Sequence, residues 1–237
     1  MQRFPIDGTG VWRQLLRPAE FRHDRPSLFL DRDGVIVEEV GYLCRTEDVR
    51  LTPSAADVIA AANRAGTPVI VVSNQSGIGR GRFTWQDFSD VQDRIIARLA
   101  DGGAALDAVL ACPHHAHGQP PYDHADHPAR KPNPGMILAA ATMLPIDLSA
   151  SWIVGDRASD LAAGRAAGLA GGVHVLTGHG GTAGERSGAL SLARNDFAVA
   201  VATSIADAME IVHRLSGRQD TGSSTSRHET VPPSSLR

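Results

Sequence analysis

Ser27-Leu28-Phe29-Leu30-Asp31-Arg32-Asp33-Gly34 is the stretch from which the rest of this chain is read. An apolar run of strand type stops abruptly at two carboxylates, Asp31 and Asp33, and a glycine then lets the backbone turn. Residues i and i+2 of a strand project to one face, which sets the two carboxylates side by side at the carboxyl end of a buried strand. Open α/β sheets bind their ligands at that edge. Carboxylates held so close repel each other and favour a divalent cation. With the charge absorbed, one can attack as a nucleophile while the other moves a proton. Taken alone, the fragment suits an Asp-x-Asp-Gly loop turn equally well.

Outward from this stretch, short apolar runs alternate with amphipathic ones. Strands are predicted at Leu28–Asp31, Pro68–Val72, Leu106–Ala111, Trp152–Val154 and Val173–Leu176, with a weaker one at Phe197–Val201. Helices are predicted at Ser54–Ala65, Trp85–Leu99, Gly135–Leu144, Ser159–Ala167 and Ile205–Leu215. Thr52 and Pro53 are placed as cap and first residue of the first helix, and Gly66 as its stop. Thr84 with Asp87 reads as a capping-box variant for the second. Strands alternating with helices of this length predict an α/β fold, a Rossmann-like three-layer sandwich with a central parallel sheet. Right-handed crossovers then bring the strand carboxyl ends to one edge.

The expected organisation is an N-terminal extension over 1–26, one domain over 27–215 and a polar, disordered tail over 216–237. Trp12, Leu15, Leu16 and Phe21 could hold the extension along the domain edge. The chain has 237 residues, 42% of them hydrophobic, with a formal net charge of −3. That size suffices for a substantial core, and the charge argues against nucleic acid as a partner. Neither an apolar signal core near the N-terminus nor a membrane-spanning run is evident, so a cytoplasmic location without a membrane partner is expected. Cys44 and Cys112 are the only cysteines, too few for a disulfide scaffold. Oligomeric state is not legible.

Other predicted strand ends also carry chemistry. Val69–Val72 runs into Ser73-Asn74-Gln75-Ser76-Gly77, a junction whose hydroxyls and amides suit phosphate. Trp152–Val154 ends in Gly155-Asp156, a third carboxylate. Arg130-Lys131-Pro132-Asn133-Pro134-Gly135 sets two cations before a helix. Separately each could be an ordinary turn or a solvated charge pair.

Together, in this order and on these elements, the segments resemble the haloacid-dehalogenase superfamily of phosphohydrolases over roughly Leu28 to Leu176. Gly41-Tyr42, the run Ser73 to Gly81, Cys112-Pro113-His114-His115 and Arg130-Lys131-Pro132 narrow the likeness to the branch of heptose-bisphosphate and histidinol-phosphate phosphatases. The resemblance implies a fold without a large cap domain, for which the span from Gly34 to Pro53 leaves no room.

It also implies roles. Asp31 would be the nucleophile, Asp33 the proton donor and then acceptor, and Ser73 and Lys131 the holders of the phosphoryl oxygens. Mg²⁺ would be held by Asp31, the backbone carbonyl of Asp33, and Asp156. Glu39, Val40, Gly41, Tyr42, Ser73, Asn74, Gln75, Ser76, Arg130, Lys131 and Arg157 would face a phosphorylated small-molecule substrate. Sugar bisphosphate, histidinol phosphate, another small phosphomonoester and a catalytically silent binding module are the competing readings. Relatives in this branch often carry a structural zinc on Cys-x-His and Cys-x-Cys. Here Cys112, His114 and His127 match, but Ala129 stands at the last ligand position. Either a substitute among His115, His117, Asp123, His124 and Asp126 completes a Zn²⁺ site, or the loop has lost its metal.

Overall fold

A computed structural model describes residues 4–18 and 24–217. Its strands are β1 (Trp12–Leu15), β2 (Leu28–Leu30), β3 (Val69–Asn74), β4 (Ala108–Cys112), β5 (Trp152–Gly155), β6 (Gly171–Val175) and β7 (Ala198–Ala202). They form one sheet in the order β1-β4-β3-β2-β5-β6-β7, parallel throughout except for β1. The α-helices are α1 (Ala55–Arg64), the single turn α2 (Ser76–Gly79), α3 (Trp85–Asp101), α4 (Gly135–Met143), α5 (Ala158–Ala166), α6 (Glu185–Leu190) and α7 (Met209–Gly217).

The strand sequences explain the layering. Leu28, Leu30, Val69 and Val71 enter one apolar layer with Val58 and Ile59 of α1, Phe88 and Ile95 of α3, and Val212 of α7. The alternate residues Phe29, Ile70 and Val72 enter the other with Met136 and Ile137 of α4, Leu161 of α5 and Ala189 of α6. Strands apolar on both faces are what a covered parallel sheet requires. The sheet reverses its winding at β2, which pairs with β3 on one side and β5 on the other. Ligand crevices of open α/β sheets form at such a reversal. The predicted elements are present, with most ends moved by about one or two residues. The span between Gly34 and Pro53 holds one 3₁₀ turn, Thr46–Asp48, and no inserted domain.

Four expectations are corrected. Thr52 does not cap α1: Ser54 takes that place at φ 65°, and the Thr52 hydroxyl donates to the carbonyls of Val35 and Ile36. The predicted helix Ile205–Leu215 begins as a 3₁₀ turn over Ile205–Ala208 before α7. The last helix continues through Gly217, so the expected tail loses its first two residues; 218–237 lie outside the described residues. Finally, β1 supplies an antiparallel edge strand beside β4. Its anchor is Trp12, stacked on Trp85 at 5.5 Å and meeting Phe88 edge-on at 5.0 Å. Leu15 is exposed and anchors nothing, and Phe21 lies outside the described residues. Gly66, at φ +67°, follows α1 as expected, and Thr84 and Asp87 form the expected capping box.

Candidate active site

Parallel register fixes the centre of the site. Leu30 pairs with Val154, and the Asp31 amide donates to the Val154 carbonyl at 2.9 Å. Asp31 and Asp156 therefore emerge together from adjacent strand ends. One turn into α5, Asp160 reaches back beneath them: its Oδ2 accepts from the Arg157 amide at 2.9 Å. Gly155 makes this approach possible, because a Cβ there would lie 2.3 Å from the Asp160 Cβ. The ligand oxygens of Asp31, Asp156 and Asp160 all lie within 4.8 Å of one another.

Lys131 balances part of this charge. Its buried ammonium donates to Asp31 Oδ1 at 2.8 Å, Asp160 Oδ1 at 2.7 Å and the Val72 carbonyl at 2.8 Å. Its three hydrogens are thereby satisfied. Burial works against that charge, but Asp160 and Asp31 outweigh it and hold the lysine well above its ordinary range. The carboxyls remain under stress. Burial, with Asp160 and Asp33 nearby, pushes Asp31 up to about 7 despite Lys131. Burial, with Asp31 and Asp160, pushes Asp156 up to about 8 despite the His179 amide that donates to its Oδ2 at 2.7 Å. A hard divalent cation relieves this combination of convergent oxygen donors and crowded negative charge, so the residues present fit Mg²⁺.

The Asp33 carboxylate is not part of that convergent set. Its carboxylate accepts from Arg32 Nε and Nη2 at 3.0–3.2 Å and from Gln75 Nε2 at 2.8 Å. Only its backbone carbonyl is left for the metal role expected of it. Gln75 Nε2 also donates to Ser73 Oγ at 2.8 Å. Because Ser73 accepts that bond, its own hydrogen is free to point at an anion. Asn74 clasps the Lys131 backbone, donating to its carbonyl and accepting from its amide, both at 3.0 Å. The Ser73-Asn74-Gln75 run lines the cavity and also holds its neighbours, a second role that the sequence did not show.

These groups border a cavity of about 650 Å³. Glu39, Gly41, Tyr42, Ser76, Arg130 and Arg157 line it as expected. Val40 is exposed and does not line it, because the loop turns its side chain to solvent. Arg130 donates to the His114 carbonyl at 2.8 Å; burial first, and then Arg157, hold it below its ordinary value. Arg157 is half-exposed, 3.8 Å from Glu185. Sequence reading missed Arg32, Arg80, Asp160 and His179 and weighed His115 only as a zinc ligand; all five line the cavity. Asp160 had a signal in the four-residue spacing from Asp156, one helical turn. Arg80 is tied to the Tyr42 hydroxyl at 2.8 Å and His179 sits 3.4 Å from Glu39, pairings that only the folded chain creates.

The histidine loop is arranged differently. His114 and His127 stack face to face at 3.8 Å with planes 3° apart. Ring lone pairs lie in the ring plane, so an ion in line with one ring stands well out of the plane of the other. His114 Nε2 instead meets the Thr9 carbonyl at 2.9 Å. Burial pushes the Cys112 thiol up to about 11. The expected Cys112, His114 and His127 donor set does not converge; among the described residues the only convergent group of this kind is Asp31, Asp156 and Asp160.

With this geometry in hand, likeness to known proteins is informative. Residues 128–208 match the family model described as HAD-hydrolase-like. The chain is 46% identical over 166 residues to a D-glycero-beta-D-manno-heptose-1,7-bisphosphate 7-phosphatase of Mesorhizobium japonicum, covering 70% of this chain and 76% of that protein. It is 40% identical over 155 residues to the protein of that name from Vibrio cholerae, covering 65% and 83%. Among solved structures, an HAD-like phosphatase of Mesorhizobium loti superposes with a TM-score of 0.80 at 38% identity, covering 90% of this chain and 97% of that one. The D,D-heptose 1,7-bisphosphate phosphatase of B. bronchiseptica, complexed with magnesium and phosphate, gives 0.66 at 30% identity, covering 79% and 98%. Among the described residues no helix is long and apolar enough to cross a membrane.

Proposed function

The chain belongs to the HAD-like phosphatase family that contains the D-glycero-beta-D-manno-heptose-1,7-bisphosphate 7-phosphatases, and on that footing we propose that it is a phosphomonoesterase removing the C7 phosphate of the heptose bisphosphate. The observation that carries this reading is the Asp31 carboxylate at the sheet reversal, gripped by Lys131 and crowded by Asp156, with Asp33 two residues on.

Asp31 attacks phosphorus as the bond to the C7 oxygen breaks, forming an aspartyl-phosphate. Asp33 passes a proton to the departing alkoxide and then takes one from the water that releases phosphate. Ser73 and Lys131 hold the phosphoryl oxygens, Lys131 exchanging part of its grip on Asp31 for the incoming anion. Asp31, Asp156 and the Asp33 carbonyl would hold Mg²⁺, which when bound offsets the charge gathering on the transferring group. Arg130 and Arg157 line the cavity and favour a second anionic group on the leaving portion. The reading keeps the cytoplasmic setting expected from sequence, and a sugar bisphosphate as substrate places the reaction in carbohydrate metabolism.

A head-to-head assay with Mg²⁺ tests it. The heptose 1,7-bisphosphate should show the highest kcat/KM among phosphorylated metabolites. A higher value for histidinol phosphate or for a sugar monophosphate would refute the substrate assignment.

A further inference from the structure

Arg32 lines the cavity and has no part in the chemistry above, yet it is buried and held on several sides. Its side chain is 1% exposed. The guanidinium carbon lies 5.3 Å from the Phe88 ring centre, and Phe88 is braced edge-on by Trp12 and Trp85. From this aromatic seat Arg32 reaches its own neighbour in sequence. Nε lies 3.2 Å from Asp33 Oδ1 and 3.1 Å from Oδ2, and Nη2 lies 3.0 Å from Oδ1. Adjacent side chains of a strand point to opposite faces, so this pairing exists only because the chain leaves strand geometry after Asp31.

The arrangement is poor as a device for stability. Nη1 is buried and finds no hydrogen-bond partner among the described residues. An apolar side chain of similar length would fill the space over Phe88 without that penalty, and exchanging buried ion pairs for apolar groups is often neutral or stabilising. What an apolar group could not do is hold the Asp33 carboxylate. Asp33 stands on a turn beside Gly34, at φ +80°, with its side chain one-fifth exposed. Without the arginine, the Gln75 amide is the remaining side-chain donor to it among the described residues.

We propose that Arg32 is the positioning residue for Asp33, a planar guanidinium fork seated on Phe88 that aims the carboxyl at the leaving oxygen; this rests on Asp33 being the proton donor. A lysine keeps the charge but lacks the fork. Proton donation matters where the leaving group is a poor one. A sugar alkoxide must be protonated as its bond to phosphorus breaks, whereas p-nitrophenolate departs without a proton.

The test compares first-turnover rates, with Mg²⁺ and excess enzyme, on a primary-alcohol sugar phosphate and on p-nitrophenyl phosphate. Arg32→Met, Arg32→Lys and Asp33→Asn are measured beside wild type. The aryl-to-alkyl rate ratio should rise about 10-fold or more in Arg32→Met, less in Arg32→Lys, and in the same direction as in Asp33→Asn. An unchanged ratio in variants whose near-ultraviolet circular dichroism is native overturns the proposal. So does failure of both Arg32 variants to fold, which would assign the residue to the core. A wild type silent on both esters would remove the phosphatase reading itself, and a working wild type whose variants keep the ratio would remove only the role of Arg32.

Discussion

Two regions of this molecule are crowded with metal-ligating side chains, and they behave in opposite ways. At the sheet reversal, Asp31, Asp156 and Asp160 converge within 4.8 Å around a fully satisfied lysine. In the loop between β4 and α4, His114, His124 and His127 have ring centres 3.8 to 6.3 Å apart, as ring stacks and edges without a common focus. The difference lies in what holds each residue. Strand register sets Asp31 and Asp156, and the first turn of α5 sets Asp160, so their spacing in sequence becomes spacing in space. Residues 113–134 carry no helix or strand, and their side chains settle into whatever packing the loop permits.

The sharpest way to break this contrast is to disarm the convergent site. Lys131→Met should lower turnover by about 10²–10³-fold, the usual effect of removing a charge that faces the transferring group. It should also destabilise the metal-free protein by about 3–5 kcal/mol, since buried carboxylates lose their counter-charge. Steady-state kinetics and denaturant unfolding measure both, and a near-normal variant would show that the cluster is not electrostatically strained.

Strain of this kind also makes stability depend on pH. Asp31 and Asp156 are raised to about 7 and about 8, above the unfolded value of about 3.9. Between those limits the native state binds more protons than the unfolded chain, so metal-free stability should fall as pH rises through about 7 to 8. Mg²⁺ competes with those protons, and its stabilising effect should grow over the same range. Thermal unfolding at about pH 5.5 and about pH 8.5, with and without Mg²⁺, reads both trends. A metal-free Tm that rose with pH would contradict the assigned carboxyl environment.

The loop should be far more tolerant. His127→Ala removes one ring stack and the acceptor for the Ala129 amide, a loss of about 1 kcal/mol, with turnover close to wild type. Elemental analysis of dialysed, tag-free protein should find well below one zinc per chain. A stoichiometric zinc, lost in His127→Ala together with much of the stability, would show that these rings rearrange around a metal.

How much of this was legible beforehand follows the same division. Apolar strand runs ending in Asp31, Ser73 and Asp156 were readable because a buried parallel strand writes its identity in consecutive apolar residues. The sheet edge β1 was not: Trp12-Arg13-Gln14-Leu15 has no clean alternation, and the strand exists through its pairing with β4 and one buried tryptophan. Thr52 and Pro53 looked like a helix start, but the hydroxyl found better acceptors in Val35 and Ile36, far away in sequence. In the site, charged groups at strand ends were found from type and position. Arg32, Asp160 and the clasping roles of Asn74 and Gln75 were missed because each acts on another side chain or on a distant backbone. Local pattern carries no trace of such long-range pairs.

The central claim is that Asp31 becomes covalently phosphorylated. Wild-type protein and the slower Asp33→Asn variant, acid-quenched during turnover of a phosphomonoester with Mg²⁺ and reduced with borohydride, can be mapped by peptide mass spectrometry. The account predicts conversion at Asp31 alone, absent when Mg²⁺ is withheld. Modification at another residue, or turnover without any trapped carboxyl, would contradict it.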